Sequence, residues 1–120
     1  MKIDNALYDI REKLLELSHG DFVQEKKLAD QYFKSFQDLK DIYAVSLINQ
    51  DSRLLSFIHQ KYKPTFRKLN LTELSDEIQS TIHKINNLNT DSALDESATK
   101  VRSYCETLIR QLQLHYSWLN

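Results

Sequence analysis

The sequence predicts an all-α, single-domain helical bundle, and three observations carry that expectation. Apolar residues recur every three or four positions along most of the chain, the mark of successive amphipathic helices. Leu and Ile dominate the apolar set while Val occurs only at 23, 45 and 101, the reverse of the β-branched bias of sheets. One Gly and one Pro leave little material for the tight turns of an antiparallel sheet. The expected architecture is one domain over 1–120 with four to five helices, two of them long, at about 21–49 and about 92–118.

The first helix is expected over 4–18, where Ala6 or Leu7, Ile10, Leu14 and Leu17 share a face. His19 and Gly20 end it, because Gly adopts the left-handed closing conformation without steric cost, and Asp21 is placed to cap the next helix. That second helix carries Phe22, Ala29, Tyr32, Phe36, Leu39, Tyr43 and Leu47 on one stripe, widened by Leu28, Phe33 and Ile42. Asp51 and Ser52 are a fresh N-cap for a third helix holding Leu54, Leu55 and Ile58. This helix is expected to stop near Tyr62, since Pro64 disfavours helical geometry at Lys63, with at most a helical turn over 65–70.

Leu71, Leu74, Ile78, Ile82, Ile85 and Leu88 define a fourth helix, and the polar run 86–92 a loop with the next N-cap. The fifth has the most regular spacing: Leu94, Ala98, Val101, Cys105, Leu108, Leu112, His115 and Leu119 step by four and three. Phe36, Leu39, Tyr43, Ile78, Ile82, Val101, Cys105 and Leu108 are the expected core.

At 120 residues with 41% apolar and 28% charged residues, and a formal net charge of -1, the chain fits a globular fold and shows no bias toward a polyelectrolyte partner. Cys105 is alone, so no internal disulfide forms. No stretch near the N-terminus is apolar enough for a signal peptide or a membrane span. A soluble, cytoplasmic protein without membrane attachment is therefore expected.

Most site chemistries lack their residues. The four histidines form no HxxxH pair, so no helical metal centre and no metal are expected. A phosphate-cradling loop and a nucleophile elbow both need several glycines, and no cofactor is expected. Cys105 sits on the apolar seam, where a free thiol behaves as a small buried hydrophobe.

Three surfaces remain. Arg110 and His115 stand with four residues between them, a spacing that resembles the Arg and His pair of the HEPN helical ribonucleases; a looser form recurs at Arg53 and His59. The resemblance implies a small helical bundle that cleaves RNA as a dimer, Arg110 stabilising phosphate charge and His115 transferring a proton. Lys61, Lys63, Arg67 and Lys68, interleaved with Tyr62 and Phe66, form a basic segment around Pro64 suited to phosphates and bases. Its plainer reading is a solvated connection whose rings anchor it to the core. By contrast, 73–96 is acidic, with Glu73, Asp76, Glu77, Asp91, Asp95 and Glu96 against Lys84; first-turn carboxylates favour the helix dipole.

At the C-terminus Leu114, Tyr116 and Trp118 point in successive directions, so one inward face cannot bury them all. The leading functional expectation is a non-enzymatic interaction module, an adaptor, chaperone, immunity or antitoxin-like protein or assembly subunit, binding a protein partner or itself through these residues. A HEPN-like ribonuclease acting as a dimer is the second reading, and a nucleic-acid binder using 61–68 the third.

Overall fold

The computed structural model describes residues 9–87 and 91–119. Five helices follow one another: α1 (Ile10–Ser18), α2 (Phe22–Ile48), α3 (Ser52–Lys68), α4 (Thr72–Asn86) and α5 (Asp91–His115), and no strand occurs among the described residues. Helices α2 to α5 close a four-membered ring, each packed on its neighbours in chain order, with α5 returning to α2. The short α1 contacts only α2 and α5, on the outside of that pair. The molecule measures 47 × 26 × 24 Å, its long dimension set by α2.

Local chemistry places the helix ends. The Asp9 carboxylate accepts from the Arg11 and Glu12 amides (3.0 and 3.4 Å), Asp21 from Gln24 (3.1 Å) and Asp51 from Leu54 (3.0 Å). Each bond satisfies an amide that the first turn leaves without a carbonyl. The Asp9 cap starts α1 at Ile10, later than position 4; Ala6 and Leu7 lie outside the described residues. At the other ends, His19, Gly20, Gln50 and Asn70 take φ values of 52°, 80°, 48° and 56°. In two of these turns the chain folds back on the helix, Asp51 donating to the Ser46 carbonyl and Leu71 to that of Phe66, both at 2.8 Å.

Pro64 does not end the third helix. Helix α3 continues through it to Lys68 because its apolar face runs unbroken: Leu55, Ile58, Tyr62, Phe66 and Leu69 are all buried. Packing on both sides outweighs the roughly 3 kcal/mol that an interior proline costs. Pro64 is exposed, so the Gln60 carbonyl that it leaves without a donor is on the solvent side. At the far end α5 stops at His115, three residues before the expected limit. Tyr116 still donates to the Leu112 carbonyl (2.8 Å), and a turn closed by Leu119 donating to Tyr116 (3.0 Å) ends the described chain.

The core contains Phe36, Leu39, Tyr43, Ile78, Val101, Cys105 and Leu108 as expected, with Ile82 half-buried at its edge. Phe22 is the main departure: it lies in the first turn of α2, at the end of the bundle, and is 70% exposed instead of belonging to the core stripe. Polar ties, one fully buried and three partly so, fix helix register. Tyr43 and Thr81 hydroxyls lie 2.8 Å apart, His59 Nε2 lies 2.9 Å from Ser75 Oγ, Lys84 donates to Ser97 (2.7 Å), and Tyr62 donates to Asp38. Sliding one helix past another would leave the Tyr43 and Thr81 hydroxyls desolvated and unpaired.

Candidate functional site

One end of the bundle gathers the turn between α1 and α2 with the segment after α5, because α2 and α5 run antiparallel: Glu25 meets Tyr116 and Lys40 meets Glu106. Asp21 caps α2 immediately after the Gly20 turn, so Phe22 and Val23 lie in the first turn of α2. Phe22 is 70% and Val23 62% exposed. Trp118, 44% exposed, is linked to this end of α2 through Lys26.

Three contacts hold Trp118 in place. Its ring meets that of Tyr116 edge-on, with centroids 5.3 Å apart and planes at 65°. The Lys26 ammonium lies 5.2 Å from its centroid, within range of a cation–π interaction. Tyr116 is itself fixed by donating its hydroxyl to Glu25 Oε2 at 2.6 Å, and burial together with that carboxylate pushes its pKa above the ordinary tyrosine value. Lys26 sits one turn from Phe22 on the same face of α2, so the ammonium separates two exposed aromatic rings. The assembled surface is therefore aromatic, cation, aromatic, with Val23 alongside.

The three C-terminal residues singled out in the sequence separate. Tyr116 is buried and bonded, so it supports the surface from beneath and is not an open anchor. Trp118 belongs to the surface, and Leu114, 76% exposed, stands on the outer side of α5. Phe22, Val23 and Lys26 were not legible as a site, since Phe22 fits the core periodicity. The signal that marks them is two large apolar residues placed directly after an N-cap, in the first turn of a helix.

The Arg110 and His115 side chains are five residues apart, about 140° around a straight helix, and do not converge within one chain. Arg110 is exposed; His115 Nε2 lies 3.9 Å from the capping carboxylate of Asp9. At the looser match, Arg53 is exposed while His59 is buried against Phe66 and bonded to Ser75. Burial, with Lys63 nearby, lowers the His59 pKa below its ordinary value, against a smaller opposing effect of Asp76. Cys105 is fully buried, and desolvation pushes its thiol up to about 12, far from the thiolate that a nucleophile requires.

The basic segment is the last half of α3, not a loop. Lys61 pairs with Asp38 at 3.7 Å and covers the Tyr62 ring at 5.3 Å, while Tyr62 and Phe66 are buried. Arg67 and Lys68 lie in the last turn, where cations complement the helix dipole. On the acidic side Glu77 and Glu96 both pair with Lys100, at 3.6 and 3.1 Å. Among the described residues, no group of three or more His, Cys, Asp or Glu side chains is arranged to hold a metal ion, and no helix is long and apolar enough to cross a membrane. No protein-family model, curated protein or solved structure matches the chain.

Proposed function

We propose that this protein is a non-enzymatic interaction module that captures a protein partner on the bundle end formed by Phe22, Val23, Lys26 and Trp118. The observation that carries the reading is the exposure of Phe22, Val23 and Trp118 at one end of a bundle that buries most of its other large apolar side chains. Aromatic rings on a rigid support supply large contact area at small entropic cost, and Trp is among the commonest interface anchors. Lys26, already beside Trp118, adds a cation that favours a partner with carboxylates near its apolar contact.

The test replaces Phe22 and Trp118 together by Ser and compares immobilised wild-type and variant proteins for specific capture from the source cell. The expected result is loss of at least one reproducibly captured protein with an unchanged helical circular-dichroism signal. Capture of the same set by both proteins contradicts the assignment of this surface.

A further inference from the structure

Helix α1 covers one end of the outer groove between α2 and α5, and among the described residues no helix lies on the other end. Past the Lys40–Glu106 ion pair (3.8 Å) the groove opens into a hollow of about 500 Å³ lined by Ala44, Leu47, Ile48, Gln50, Leu94, Asp95 and Ala98. The small side chains of Ala44 and Ala98 leave the two backbones accessible to another helix. At the rim of the hollow Ile48 is 81% exposed, an apolar projection over a recess that mixes apolar side chains with Gln50 and Asp95.

The charges along α5 indicate what fits there. Glu96, Lys100 and Glu106 are all engaged in ion pairs within the chain. Asp95 and Arg102 are exposed, and neither has an ion-pair partner among the described residues. They lie seven positions apart, so they share one face of α5 with a rise of about 10.5 Å between them. Ala98 and Thr99 mark the midpoint. Opposite charges placed symmetrically about a point on a helix complement the same helix turned through a two-fold axis there: Asp95 of each copy meets Arg102 of the other, twice over.

The geometry points to a second copy of this chain as the occupant of the open α2 and α5 groove, in an isologous dimer with the α5 helices antiparallel across the axis near Ala98. Ile48 of each copy supplies the apolar contact that closes the hollow, and two Asp95 to Arg102 pairs set the register. This interface is separate from the Phe22 and Trp118 surface, so dimerisation and partner capture respond to different substitutions.

Sedimentation velocity and light scattering on the full chain at about 100 μM test it. The wild type should appear at twice its 14.2 kDa chain mass. Ile48→Glu and Arg102→Glu should each weaken the dimer at least about tenfold. The charge exchange Asp95→Arg with Arg102→Asp should restore wild-type affinity to within about threefold, and the Phe22 and Trp118 double variant should dimerise normally. Ile48, Asp95 and Arg102 are all exposed, so circular dichroism should confirm that each variant stays folded. A wild type that remains at single-chain mass overturns the proposal, as does a dimer indifferent to both Ile48→Glu and Arg102→Glu. A charge exchange that fails to restore association overturns the antiparallel pairing.

Discussion

His59 shows how a single side chain couples packing to pH. It is buried between α3 and α4 with Nε2 on Ser75, and desolvation holds its pKa below the ordinary 6.5. In the unfolded chain the imidazole takes up a proton near 6.5, whereas in the fold it stays neutral to lower pH. Between those two pKa values the unfolded state binds more protons, so stability rises with pH there. The contribution is complete above pH 6.5 and is lost as pH falls through the lowered folded-state value. Urea unfolding of His59→Gln should therefore show a flatter loss of stability below pH 6.5 than the wild type. Parallel pH profiles would contradict a neutral, buried His59. Nothing in the spacing of Arg53 and His59 indicates this role; it depends on desolvation, which arises only when α4 folds back on α3.

At the scale of elements, periodicity located every helix, because each buries a continuous face and spacing records that face directly. Ends were less legible, and the reason is specific. With Gly20 as the only glycine, a left-handed helix end could be read at one place, yet His19, Gln50 and Asn70 adopt that conformation too. Closing hydrogen bonds and antiparallel packing place non-glycine residues there, Asn70 and His19 being types that tolerate it better than Gln50. Pro64 is the converse: a local signal to stop that the buried face of α3 overrides. Since Pro64 is exposed and the helix continues around it, Pro64→Ala restores an intrahelical donor without disturbing packing. The variant should be more stable by about 1 to 3 kcal/mol in reversible urea unfolding. A destabilised variant would show that the local geometry which Pro64 imposes is needed for the α3 and α4 contact.

Across the molecule, a four-helix ring with a fifth helix on one side leaves two surfaces that no described residue covers: the bundle end around Phe22 and Trp118, and the open half of the α2 and α5 groove. Sequence reasoning reached part of the first through Trp118, because crowded large side chains at a helix end cannot all face inward. It missed Phe22 because a residue one helical period from the core stripe is indistinguishable from core until neighbouring helices define where the bundle stops. Partner capture through this end is tested most directly by photo-cross-linking. A photoreactive phenylalanine analogue replaces Phe22 in one variant and exposed Lys34, about three turns along α2, in another. Both are irradiated in the source cell, and adducts are identified by mass spectrometry. The proposed role predicts discrete protein adducts at position 22, absent at position 34 and lost when Trp118 is changed to Ser. Equal labelling at the two positions, or no protein adduct at position 22, would contradict it.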